Sequence, residues 1–321
     1  MAFQTITILI LILYSAIIAP PLFKLFVYKM AATMEVIFEC ESEVISIVYC
    51  LLLAIIYVSS LYVCGIKLPR DHPKTVKRRI AAVIIVCIIA PILLLYLGQP
   101  TSKDQQVKGL WVWLGMRLDG FLVAATLPLL LTMILFLGPL TMTVIDLYQS
   151  NCLFSPNLWF DQDLFSLVFI RNFIVAPISE EFVFRACMLP LLVPCLGALK
   201  SIFICPLLFG VAHAHHAIER FRSREQLVNI LAGFVFQFTY TTIFGTFCAF
   251  IFIRTGHLVG ICMCHTFCNF MGFPEFQHIF SYIKPISALV SIMFLVGLGS
   301  FIYLLFPLSD PSYYSNSIYT L

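Results

Sequence analysis

Two glutamates stand side by side, Glu180 and Glu181, in a stretch that is otherwise almost wholly apolar. From Leu164 to Val193 the chain reads LFSLVFIRNFIVAPISEEFVFRACMLPLLV. Ionisable groups at bilayer depth are expensive and mark functional sites by default. Arg185 follows Glu181 by four residues. A Glu preceding an Arg at that spacing is the favourable order for a helical ion pair. Arg185 therefore neutralises Glu181. Glu180, about 100° further round a helix, is left for another task. A carboxylate in a partly dry cavity is a stronger base, once ionised, than one in water.

Three more polar groups interrupt apolar runs downstream. His213 closes SIFICPLLFGVAH, and His265 and Asn269 lie in HLVGICMCHTFCNFMG. Their spacing of four puts His265 and Asn269 on one helix face. Dispersed in lipid, each group would be costly, whereas gathered on one wet cavity they can be hydrated and paired. Convergence is therefore the expectation. In such a cavity Glu180 takes a proton from water, and His213 holds the same water and shuttles its proton. His265 and Asn269 donate to a developing oxyanion. The chemistry is peptide hydrolysis by activated water, with no covalent nucleophile. Blander roles stay open: an ion-pair knot at Glu180, Glu181 and Arg185, a satisfied core histidine at 213, and interhelical hydrogen bonds from 265 and 269.

The elements that must carry these residues are membrane helices. The 321 residues are 61% hydrophobic and only 11% charged, with a mean hydropathy of +1.00. A soluble domain is about 25% charged. A spanning helix needs roughly 20 apolar residues. Candidate spans are 5–27, 44–66, 80–98, 120–146, 164–196, 199–215, 228–253, 257–272 and 284–306, and 199–215 and 257–272 are short. The fold class is thus an all-α polytopic membrane bundle of eight to nine helices around a central polar cavity. It reads as one integral-membrane domain, 1–321, with the motif-bearing core at about 164–272. The first apolar run has no Lys or Arg before Lys24, which suits a membrane segment better than a cleaved signal peptide.

Charge sets the orientation. Lys67, Arg70, Lys74, Lys77, Arg78 and Arg79 crowd the loop after the second candidate span, while Glu35, Glu39, Glu41 and Glu43 precede that span. The basic loop is expected in the cytosol. Counting spans places the 216–226 loop, with Arg220, Arg222 and Arg224, on the same side. His215 and His216 extend the His213 cluster towards that interface. The net charge of +3 implies no nucleic-acid partner. The 12 cysteines lie mostly in apolar runs, where Cys behaves as a small hydrophobe, and no disulfide framework is expected. Cys264 and Cys268 share a face, but two thiols do not make a zinc site.

Taken in order, the motifs resemble a known family. Glu180-Glu181-Phe-Val-Phe-Arg185 fits EExxxR, Phe209-Gly-Val-Ala-His213 fits FxxxH, and His265-Thr-Phe-Cys-Asn269 fits HxxxN. Each motif alone is weak, but the ordered triple inside apolar helices resembles the type II CAAX prenyl endopeptidases, which are glutamate-dependent intramembrane proteases. The resemblance implies cleavage of a prenylated C-terminal CAAX sequence after the modified Cys, with release of the last three residues. It implies farnesylated or geranylgeranylated substrates such as Ras-like small GTPases, the endoplasmic reticulum membrane, and a site reached from the cytosol. By the same resemblance Glu180 is the base and His213 its partner. His265 and Asn269 form the oxyanion hole, Glu181, Arg185 and Phe209 give support, and no metal or other cofactor is needed. The chain's own end, Ser-Ile-Tyr-Thr-Leu, is not a CAAX box.

Three rival readings are a zinc metalloprotease, a proton-coupled transporter and a non-catalytic membrane scaffold. Glu180, His213 and His265 are suitable zinc ligand types, but no HExxH occurs. Intramembrane Glu and His also mark proton relays, yet no inverted repeat stands out and the polar groups cluster in one half. Fold alone does not exclude a scaffold, although five intact polar motif residues speak against one.

Overall fold

Apolar side chains cover the outside of this molecule as well as filling its core, and a small set of polar ones is buried among them. The computed structural model describes residues 35–63, 68–98, 108–150 and 166–319. These residues are nearly all helical: α1 Glu43–Val63, α2 Pro73–Leu97, α3 Phe121–Leu135, α4 Leu137–Gln149, α5 Ala176–Glu181, α6 Leu189–Ala212, α7 Ala214–Arg222, α8 Leu227–Thr255, α9 Leu258–Met271 and α10 Lys284–Leu308. A two-residue antiparallel ribbon, β1 Glu35–Val36 with β2 Lys108–Gly109, pairs Glu35 with Gly109. Large aliphatic side chains such as Ile84, Ile88 and Ile92 on α2, and Leu295 and Ile302 on α10, are exposed. Such a coat suits hydrocarbon rather than water. The all-α multi-pass membrane architecture expected from composition is the one observed.

Five of the helices are long and apolar enough to cross a membrane, or six if one bent pair is a single span. That is fewer, among the described residues, than the eight to nine expected. Four causes are visible, the first being that the expected span 164–196 is divided into short helical pieces, with the long crossing helix beginning only at Leu189. The expected span 5–27 lies outside the described residues. The expected span 257–272 is the 14-residue α9, about 21 Å long and shorter than the roughly 30 Å hydrocarbon core. The expected span 120–146 is broken, with α3 and α4 meeting at 74°. Pro139 has no N–H to give the carbonyl four residues back, so the helix cannot run straight through Phe136. The expected loop 216–226 is also largely helical, as α7.

The motif region follows the sequence more closely. Backbone angles stay right-handed helical at each junction from Leu167 to Met188. α5 is flanked by two π-helical turns, Arg171–Val175 and Phe182–Cys187. Such turns widen a helix and occur often at functional sites. The helix breaks at Gly197, whose φ of 75° and ψ of 163° suit a residue without Cβ. The boundary expected between 164–196 and 199–215 therefore falls where the backbone turns.

α6 packs between α1 and α8, α9 lies on α3 and α5, and α10 covers α3 and α4. Two sets of contacts distinguish the ends of the bundle. At one end Arg79 pairs with Glu219 at 3.1 Å and Arg171 pairs with Asp71 at 2.8 Å, while the Tyr62 hydroxyl donates to Glu219 at 2.7 Å. The two basic segments thus share one end, as expected. At the other end a disulfide joins Cys40, just before α1, to Cys195. This bond is contrary to the expectation of no disulfide framework. Cys40 lies outside any apolar run, and its partner is 155 residues away, a separation that spacing rules cannot bridge.

Candidate active site

Glu180 and Glu181 point different ways because they are neighbours on α5. Glu181 and Arg185 are completely buried, Glu180 is partly accessible, and Arg185 Nη1 lies 3.2 Å from Glu181 Oε1. The guanidinium carbon also lies over the Phe209 ring, 4.1 Å from its centroid, a geometry that stabilises a desolvated cation. α8 can come this close only at Gly245, where a Cβ would stand 2.7 Å from Arg185 Nη2 and 2.9 Å from Pro206 Cβ. Phe209 then meets His213 edge-on at 4.6 Å. One aromatic ring thus links the EExxxR and FxxxH motifs.

Glu180 and His213 line the same cavity, about 110 Å³ in volume, which has room for several waters. Tyr57, Val58 and Leu61 of α1, Ile80 and Val83 of α2, and Arg70, Arg79 and Arg171 complete its wall. The cavity therefore lies toward the basic end of the bundle. His213 caps the C-terminus of α6. Its Nδ1 contacts the Phe209 carbonyl at 2.8 Å. Donation there leaves the Nε2 lone pair free to accept from water.

His265 sits behind this wall, nearly buried. Its Nδ1 donates to Glu181 Oε1 at 2.7 Å, and its Nε2 faces Glu180 Oε2 at 3.8 Å. The ring thus joins both carboxylates, a position that its sequence number did not reveal. A ring protonated only on Nδ1 presents a lone pair at Nε2, and donation from both nitrogens requires two ring protons. Asn269, one turn on, is exposed and donates its amide N–H to the Asn172 carbonyl at 3.0 Å. The structure so gathers Glu180, Glu181, Arg185, Phe209, His213 and His265 into one contiguous cluster. Asn269 stands at its edge through Asn172, itself a cavity residue.

Other members carried weaker sequence signals. The Tyr57 hydroxyl and Ser179 Oγ are hydrogen-bonded at 2.9 Å, and Tyr57 packs edge-on against Phe184 at 5.5 Å. This tethers α1 to the turn that carries Glu180. Ser179 was legible as the polar residue before the glutamates, whereas Tyr57 sits in an apolar span like any core aromatic. His215 and His216 also reach the cavity wall. Among the described residues, no three His, Cys, Asp or Glu side chains are grouped as metal ligands.

Fold and site together define a multi-pass membrane protein with a paired-carboxylate, histidine-rich centre set inside its helices. Residues 162–271 match the family model described as type II CAAX prenyl endopeptidase Rce1-like. The chain is 45% identical to the human CAAX prenyl protease 2, over 85% of this chain and 83% of that protein. It is 40% identical to the rat protein of that name, over 85% and 82%. It is 35% identical to the Arabidopsis thaliana one, over 87% and 94%. No solved structure matches. The chain belongs to the type II CAAX prenyl endopeptidase family and is a membrane-embedded peptidase.

Proposed function

We propose that the protein removes the C-terminal -aaX tripeptide from prenylated CAAX proteins, Ras-like small GTPases among them, and that the cavity bearing Glu180 and His213 is where it does so. The observation that carries this reading is the pairing pattern. Glu181 is bound by Arg185 and His265, while Glu180 faces a cavity with room for several waters, shared with an imidazole whose Nδ1 is already engaged. The whole chain acts as one protease domain with its reactive core at about 164–272.

The steps follow from that geometry. Glu180 takes a proton from a cavity water while His213 Nε2 accepts the water's other hydrogen, aligning its lone pair. The water oxygen attacks the carbonyl carbon of the prenylated Cys. The carbonyl oxygen becomes an oxyanion. Asn269 Nδ2 and, in the doubly protonated ring, His265 Nε2 donate to it, contacts that tighten once substrate is bound. Collapse of the intermediate breaks the C–N bond, and the proton on Glu180 passes to the leaving amine. Arg185 and Phe209 keep Glu181 compensated, and Glu181 in turn orients His265.

A bilayer-anchored prenyl chain brings the scissile bond to a site among membrane helices. Disulfides persist in oxidising compartments, and basic loops stay cytosolic. The disulfide end therefore suits the lumen of the endoplasmic reticulum, and the end that holds the cavity suits the cytosol. The test is cleavage of a farnesylated CAAX peptide by purified protein, with and without a chelator, for wild type and Glu180→Gln. Chelator-resistant wild-type turnover and an inactive variant support the reading. Dependence on added zinc transfers it to a metalloprotease mechanism.

A further inference from the structure

Three arginines stand on the cavity wall with Glu180, and they are not equivalent. Arg79 is bound to Glu219 at 3.1 Å, and Arg171 to Asp71 at 2.8 Å. Arg70 is exposed, and among the described residues its guanidinium has no carboxylate partner. Its backbone is nonetheless held in place. Arg171 Nη1 donates to the Arg70 carbonyl at 3.3 Å while also pairing with the next residue, Asp71. This clamp ties the segment before α2 to the start of the motif helix and leaves the Arg70 side chain at the cavity rim.

A substrate cut three residues from its end carries a free α-carboxylate near the scissile bond. Three extended residues reach about 10 Å. Arg171, which holds the Arg70 segment, precedes Glu180 by nine residues, or about 13 Å along the helix axis. A peptide whose scissile carbonyl lies at Glu180 thus places its terminal carboxylate at the level of this clamp. We propose that Arg70 binds the C-terminal carboxylate of the substrate and so measures the distance from the cut to the chain end. The inference rests on the assignment of Glu180 as the site of cleavage. Arg70 is suited to it because an arginine already engaged would have to give up a partner, and because a guanidinium matches a carboxylate in two parallel hydrogen bonds.

The experiment compares a farnesylated CAAX peptide ending in a free carboxylate with the same peptide ending in an amide. For the wild-type protein the amide is cut with a kcat/KM about 10- to 100-fold lower, most of it in KM, as loss of a charge-assisted hydrogen bond requires. Arg70→Ala lowers the acid to the level of the amide and leaves the amide unchanged. Arg70→Lys restores part of the preference. Binding of the two peptides to Glu180→Gln reads the same preference without turnover. If Arg70→Ala slows acid and amide alike, or if wild type does not distinguish them, the carboxylate role is overturned. If Glu180→Gln still cleaves, the assignment of Glu180 falls, and the acid–amide comparison in Arg70→Ala still decides whether Arg70 reads the chain end.

Discussion

Two adjacent carboxylates with opposite fates are the central fact at the scale of single residues. Glu181 is enclosed by Arg185 and His265, and Glu180 is open to the cavity. Glu180→Gln keeps the shape and loses the proposed base. Turnover is expected to fall by about 10²–10⁴ with the unfolding transition in detergent unchanged, and substantial residual cleavage would refute the assignment. His265 and Asn269 share a motif but not an environment, which separates their variants. Asn269→Ala removes an exposed amide, so kcat drops by about 10²–10³, KM moves little, and stability holds. His265→Ala also strips Glu181 of its 2.7 Å partner, which adds a stability loss of about 1–3 kcal/mol. Equal thermal stability of the two variants would show that the His265–Glu181 bond contributes nothing to the fold.

The motif helix and its neighbours set how those residues meet. Glu181 and Arg185 straddle the boundary between α5 and the π turn Phe182–Cys187, and both are sealed under Phe209 and α8. Removing either leaves the other as a buried unpaired charge, at a cost of about 3–5 kcal/mol. Glu181→Gln and Arg185→Met should each reduce folded yield sharply. The double variant should be less unstable than the sum of the two, because the pair leaves together. A double-mutant cycle in unfolding free energy measures this, and a coupling energy of zero would contradict the observed ion pair. The same elements explain why α8 needs Gly245: any side chain there meets Arg185 and Pro206.

At the scale of the whole molecule the two ends of the bundle differ in chemistry. The basic end holds the Arg79–Glu219 and Arg171–Asp71 pairs, and the opposite end holds the Cys40–Cys195 disulfide. In sealed microsomes, a membrane-impermeant maleimide should label these two cysteines only after reduction and only once the vesicles are opened. Labelling from the cytosolic side of intact vesicles would invert the proposed orientation. Near the disulfide end, His257 is buried between α8 and α9. Burial, and then the neighbouring Arg117, push its imidazole down from 6.5 to about 4. An unfolded chain binds this proton below pH 6.5 while the folded one refuses it until about pH 4, so stability falls as pH drops through that window. The loss is on the order of 3 kcal/mol. His257→Gln should flatten this part of the melting-temperature profile between pH 7 and 4, and an unchanged slope would assign the acid sensitivity to other groups.

The sequence by itself determined the membrane class, the Glu181–Arg185 spacing, the shared face of His265 and Asn269, the helix boundary at Gly197 and the common side of the two basic segments. All but the last are short-range properties, and the last follows from the charge bias of loops. Hydropathy over some 20 residues decides burial in lipid, and a repeat of 3.6 residues decides which side chains on one helix are neighbours. The tertiary structure alone decided that His265 bridges both carboxylates, that Phe209 covers Arg185, that Tyr57 holds Ser179 and that Cys40 reaches Cys195. It also set the 74° angle at which the two halves of the expected span 120–146 meet. Three of these contacts join residues 84 to 155 positions apart, and the Phe209–Arg185 contact joins two separate helical elements. Which helix faces meet depends on the packing of whole side-chain surfaces, on where a glycine admits a neighbouring helix and on where a proline interrupts one. No spacing within a single segment carries that information.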